Sequence, residues 1–159
     1  MKKLFCLLII VGGFLLCACH NEYNVLSYQE KNIIANCTVN DKYNIEITKN
    51  ESGRKLTVLA PENLCGITFE IGETTSFAIK DNMKIPLNNQ HIGGIFALSS
   101  IFSLNEGNLA TVTENNVLTF DDTSTVYTVT YGENNLPLHI EISGDGYAYS
   151  VNVNSIKFD

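Results

Sequence analysis

From Ile33 to Phe158 the chain alternates apolar and polar residues with a period of two, the mark of strands that bury one face. Ile33, Ala35, Cys37 and Val39 occupy alternate places, and Tyr43, Ile45 and Ile47 resume the pattern after Asn40-Asp41-Lys42. A three-residue turn there opposes Val39 to Tyr43, Cys37 to Ile45 and Ala35 to Ile47, so every apolar residue falls on one face. A two-residue turn would mismatch them. Leu56 and Val58 mark a further strand, stopped by Pro61, which has no N–H to give a ladder. After Gly66 come Ile67, Phe69 and Ile71, then Phe77 and Ile79, then Met83, Ile85 and Leu87. Tyr127, Val129 and Tyr131 precede the clearest hairpin, built on Asp145-Gly146, a favoured two-residue turn. That turn opposes Ile142 to Tyr149, Ile140 to Val151 and Leu138 to Val153, with Glu141 facing Ser150 and His139 facing Asn152 on the other face. Near the end the apolar parity changes from odd (Val151, Val153) to even (Ile156, Phe158), which predicts a bulge at Asn154-Ser155.

One segment breaks the period. Ile92 to Leu104 is apolar around most of a helical circumference and long enough for about three turns, opened by Gly93-Gly94 and closed by Glu106-Gly107. Ile95, Leu98, Ile101 and Phe102 are spaced three and four apart, along one side of such a helix, and are expected to line the space between it and the sheet. Antiparallel strands with one inserted helix predict a mostly β, α+β fold.

Ahead of the strands stands a different pattern. Met1-Lys2-Lys3 is a short basic start and Leu4 to Leu16 an apolar run of 13 residues. A membrane span needs about 20 residues, so the run suits the core of a signal peptide. Leu16-Cys17-Ala18-Cys19 resembles the bacterial lipobox, in which the thiol of the last residue becomes a thioether to diacylglycerol. The division expected is therefore 1–18 signal peptide, 19–30 polar tether and 31–159 folded domain, with Cys19 as the lipid attachment site. Two or more acyl chains would anchor the protein stably to the cell membrane, facing outside the cytoplasm. The alternative is an ordinary secretory signal with incidental cysteines.

Composition narrows the function. A chain of 159 residues supports about one domain, and 45% hydrophobic residues exclude a disordered one. The net charge is −7; without Lys2 and Lys3 it becomes −9, from 17 acidic against 8 basic residues, which excludes a basic nucleic-acid binder. His20, His91 and His139 have no partners at metal-ligand spacing, and no Gly-x-Ser-x-Gly, His-Glu-x-x-His or phosphate loop occurs. Asp121 and Asp122 are neighbours that a strand would point to opposite faces, leaving at most a weak Ca²⁺ site. Cys37 and Cys65 offer one disulfide or two buried thiols, and neither has the cationic surroundings of a catalytic cysteine. No catalytic residue, metal or cofactor is expected, and the chain does not read as an enzyme.

The stretch Val58-Leu59-Ala60-Pro61-Glu62-Asn63-Leu64-Cys65-Gly66-Ile67-Thr68-Phe69 resembles a family of small clostridial-type lipoproteins. The Ala35-x-Cys37-x-Val39 hairpin and Leu136-Pro137-Leu138-x-Ile140-x-Ile142 also fit it, so the resemblance spans roughly residues 30 to 159. That family is similar in turn to the Lol-type lipoprotein carriers and the mycobacterial glycolipid carriers. The resemblance implies a curved, incomplete antiparallel β-barrel with an apolar helix across its concave face and an apolar pocket beneath. No carrier-specific motif is matched; Arg54, the only arginine, is assigned to a turn and given no role. The implied function is a membrane-anchored, non-enzymatic binding module for an apolar or lipid ligand. The alternative is a structural or protein-interaction domain at the cell surface with no small-molecule ligand. A cavity of some hundreds of Å³ between helix and sheet would favour the first, a close-packed interior the second.

Overall fold

The computed structural model describes Tyr28 and residues 31–72, 74–88, 92–113, 116–122 and 124–159. The signal run, Cys19, His20 and His91 lie outside these residues. Among the described residues eleven strands form one antiparallel sheet. They are β1 (Ile33–Val39), β2 (Tyr43–Asn50), β3 (Gly53–Ala60), β4 (Thr68–Ile71), β5 (Ser76–Lys80), β6 (Met83–Leu87), β7 (Leu109–Thr113), β8 (Val117–Asp122), β9 (Thr125–Tyr131), β10 (Pro137–Gly144) and β11 (Tyr147–Phe158). The helix α1 (Gly93–Ser100) and a 3₁₀ turn (Glu106–Asn108) lie between β6 and β7.

The spatial order is β6-β5-β4-β3-β2-β1-β11-β10-β9-β8-β7. The chain meanders outward from β1 to one edge, crosses to the other edge through α1, and meanders back until β11 pairs with β1. The sheet is open and curved, a half-barrel. The crossover is what lays α1 over the concave face.

The expected registers hold where turn chemistry defines them. Val39, Cys37 and Ala35 face Tyr43, Ile45 and Ile47. Asn40 and Asp41 both adopt positive φ, 51° and 54°, which their short polar side chains tolerate. Ile142 faces Tyr149 and Ile140 faces Val151 around Gly146, whose φ of 81° serves the turn. The bulge is present: Asn36 pairs with Ser155 and Cys37 with Val153, leaving Asn154 as the extra residue.

Leu138 departs from expectation. A register shift between Pro137 and His139 turns it outward, 53% exposed, and buries Pro137 in its place. On β5 the apolar Phe77 and Ile79 lie on the convex face, because the register with β4 puts Ser76 and Ala78 beside Ile71 and Phe69. Phe77 is covered there by the Lys84 ammonium, 4.2 Å from its ring centre. The helix is shorter than its apolar run. Ser99 and Ser100 both turn their hydroxyls back to the Phe96 carbonyl at 2.8 Å, a local bond that competes with helix continuation. Ile101 and Phe102 then drop into the core as a turn. Tyr28, placed in the expected tether, belongs to that core: it is buried, and its ring meets Phe102 edge-on at 6.4 Å. Cys37 is buried and Cys65 exposed, both as free thiols, and burial pushes the Cys37 thiol up to about 12.

Between these apolar residues the convex face carries charged pairs. Glu70 bridges Lys55 at 3.2 Å and Lys84 at 3.0 Å, and His139 bonds Asn152 at 2.8 Å and Glu141 at 2.6 Å. Edge strand β6 carries Lys84 and Pro86, which discourage pairing with another chain. No described helix is long and apolar enough to cross a membrane.

Candidate ligand-binding face

An eight-residue helix that begins with two glycines and has no side-chain cap is not stable alone. Contacts with the sheet hold α1 in place. The β2–β3 register sets Lys49 opposite Arg54 on the concave face, two like charges side by side. Such a pair is unfavourable unless each charge has its own partner. Lys49 Nζ donates to the Phe102 carbonyl at 3.1 Å, and the Arg54 guanidinium donates to Ser100 Oγ. Both cations therefore sit at the C-terminal end of the helix, where the backbone carries partial negative charge. Arg54 also lies 4.6 Å from the Phe96 ring centre. Burial lowers the pKa of both groups; the Arg54 charge adds to the effect on Lys49, while Tyr127 and Asp122 oppose it on Arg54.

From the other wing of the sheet Tyr127 donates its hydroxyl to the Ala97 carbonyl at 3.3 Å. Burial, then the Asp122 charge, raises the Tyr127 pKa, so it remains a donor. The glycine pair at the start of α1 has a packing reason. A Cβ on Gly94 would overlap the Tyr149 hydroxyl, so a larger residue there would have to displace the Tyr149 ring for the helix to lie this close to β11. Tyr149 stacks on Tyr147 at 5.7 Å between ring centres, and Tyr147 bonds Thr125 Oγ1 at 2.7 Å.

Of the four residues expected to line a pocket, Leu98, Ile101 and Phe102 lie in the core, whereas Ile95 is half-buried outside it. They do not lie along one helix face, because Ile101 and Phe102 follow its last residue. Phe102 is 0% exposed, so at this point the space beneath the helix is filled. Open clefts flank it. One, of about 390 Å³, is lined by Gly93, Phe96, Asp122, Ser124, Thr125, Tyr127 and Tyr147. The other, of about 310 Å³, lies between the β2–β3 and β4–β5 turns and includes Arg54, Ile71, Thr75 and Phe77. Arg54 and Phe96 touch, so their contact stands between the two clefts. Ser76, wholly buried beside Ile71, has a hydroxyl with no partner among the described residues.

The concave apolar surface continues past the helix. Leu56, Phe69, Ala78 and Ile85 form one cross-strand row from β3 to β6. At its outer end Ile85 is 55% exposed and its same-face neighbour Met83 is 60% exposed. The sequence pattern identified these residues as apolar but not as uncovered. Arg54 was placed in a turn; it lies in β3, two residues before Leu56 and so on the same face. No group of His, Cys, Asp and Glu among the described residues is arranged to hold a metal ion.

No family model matches the chain, and no curated protein matches it. Solved structures do. The chain is similar to an uncharacterized conserved protein from Thermus thermophilus, with a TM-score of 0.51 at 10% identity, over 86% of this chain and 84% of that one. It is also similar to a putative outer membrane lipoprotein-sorting protein domain from Vibrio parahaemolyticus, with a TM-score of 0.46 at 9% identity, over 86% and 92% of the two chains. A LolA superfamily protein from Nitrosomonas europaea gives a TM-score of 0.45 at 10% identity over the same shares. At these identities the likeness is one of fold: an open, curved antiparallel sheet.

Proposed function

We propose that the chain is a lipid-anchored lipoprotein of the clostridial type its sequence resembles, attached through Cys19 and facing outside the cytoplasm, and that it binds an apolar or lipid ligand without catalysis. The observation that carries this reading is a concave apolar surface larger than the helix covering it, with Met83 and Ile85 exposed at its outer end. Exposed apolar surface of this kind marks a place where something binds. The helix is fastened to the sheet by side chains of Lys49, Arg54 and Tyr127, whose bonds can be released without breaking a strand pair. The signal run and the Leu16-Cys17-Ala18-Cys19 motif support the anchor.

A second reading, an interaction domain without a small ligand, is favoured by the filled core under α1, where Ile101 and Phe102 are buried. A fluorescent fatty acid separates the two. Wild type is expected to bind it, Ile85→Asp to bind about tenfold more weakly, and Leu138→Asp, at an exposed site that lines neither cleft, to bind as wild type. Absence of binding by wild type would leave the interaction domain. Cys19→Ala is expected to leave membranes or accumulate uncleaved; a cleaved, membrane-bound variant would refute the anchor.

A further inference from the structure

The cleft of about 390 Å³ at the start of α1 has a wall unlike the rest of the concave face. Phe96, Tyr127 and Tyr147 give it aromatic surface, and Asp122 is the one charged residue among the described ones that line it. The hydroxyls of the two tyrosines are already engaged, with the Ala97 carbonyl and Thr125 Oγ1, so the rings rather than the hydroxyls are left for a ligand. The Asp122 carboxylate makes no hydrogen bond and no ion pair among the described residues. Arg54 attracts it from a distance but is committed to Ser100 and to the Phe96 ring.

That last contact is informative in itself. Phe96 already accepts one organic cation on its π-face, supplied by the chain. An anion entering the cleft would meet Asp122, and a purely apolar group would desolvate that carboxylate without pairing it. An organic cation meets neither obstacle, since aromatic rings attract positive charge and the carboxylate neutralises it. We infer that this cleft binds an organic ammonium group of about choline size, with Asp122 as its counter-ion and Phe96 and Tyr147 as its aromatic walls. The site goes beyond the apolar-ligand reading, because it requires no acyl tail.

The test uses tailless probes and is therefore independent of the fatty-acid experiment. Choline and its neutral carbon isostere, 3,3-dimethyl-1-butanol, are titrated by ligand-observed saturation-transfer NMR. The full chain is held in phosphatidylglycerol nanodiscs, which contain no ammonium headgroup. Choline is expected to bind at least about tenfold more tightly than the isostere. Asp122→Asn should abolish that preference, and Phe96→Leu should weaken choline binding. Asp121→Asn removes the same charge one residue away and should change nothing; Asp121 pairs with Val126, outside the cleft. Equal binding of the two probes, no choline binding, or equal losses in the two aspartate variants would each overturn the site, the last by tracing the effect to overall charge. If fatty acid fails to bind while choline binds through Asp122, the apolar-ligand reading falls and this site stands.

Discussion

The two wings of the sheet use the same alternation and come to different ends. In β8 to β10 the concave positions hold Leu118, Phe120, Tyr127, Val129, Ile140 and Ile142, all buried. In β5 and β6 the concave positions hold Ser76, Ala78, Lys80, Met83, Ile85 and Leu87, of which Met83 and Ile85 face solvent. Both wings alternate, but β5 turns its apolar Phe77 and Ile79 to the convex face, whereas β6 keeps Met83 and Ile85 on the concave one. The cover differs as well: α1 and the turn after it, with Phe102, lie over the sheet's middle, packing on β3, β4 and β10. Periodicity therefore selects a face, and the crossover connection decides which part of that face becomes core.

The largest expected effect breaks the covered half. Phe102→Ala should cost about 3–5 kcal/mol in a denaturant titration, the usual penalty for a buried Phe. Met83→Ala in the uncovered half should stay within about 0.5 kcal/mol, as surface changes do. Equal losses would mean that the two halves are covered alike.

A smaller effect sharpens the contrast through turns that both need a left-handed residue, Gly146 at φ 81° and Asp81 at φ 53°. Valine at either position should add about 1–2 kcal/mol of strain. Gly146→Val should lower global stability, because β10 and β11 carry core residues. Asp81→Val should instead speed amide exchange within the β5–β6 hairpin and leave global unfolding nearly unchanged.

The smallest effect is set by pH and stays within about 1 kcal/mol, the ceiling for exposed pairs. Partial burial of His139 disfavours its charge, but the bonds to Asn152 and Glu141 prevail and raise its pKa. Its contribution is then full below about pH 6.5, the unfolded value, and is lost as pH rises through the raised folded value. Glu70 is the reverse: Lys84 and Lys55 lower its pKa, so its contribution is full above about pH 4.3 and is lost as pH falls through the folded value. Thermal melts across pH should show β10–β11 loosening on the alkaline side and β3–β6 on the acid side, with His139→Gln and Glu70→Gln each removing one of the two trends.

Much of the architecture was legible where turn and alternation agree. The β1–β2 and β10–β11 registers follow from Asn40-Asp41-Lys42 and Asp145-Gly146, and the bulge at Asn154 follows from the parity change. Leu138 was misplaced because composition does not reveal that a buried Pro137 will take the inward position. The helix was read too long because Ser99 and Ser100 count as helix-compatible until their bonds to Phe96 are seen. Arg54 shares the parity of Leu56 and so its concave face, but the Glu51-Ser52-Gly53 before it carries the stronger turn signal. Tyr28 stands alone in a polar run, with no periodicity to mark it as core. Asp122 and Tyr147 reach one cleft from strands 25 residues apart, a proximity made by three successive registers.

The β1–β11 seam joins the first and last described strands at the centre of the sheet. A chain delivered from its N-terminus presents β1 early, with Ile33, Ala35 and Cys37 in place and one edge unpaired. Its partner arrives only after nine further strands and the helix have emerged. Until then two half-sheets exist, each ending in a strand with free backbone groups on its inner side. By its sequence separation this seam is expected to close late, and the interval before it leaves strand edges open to pairing with a neighbour.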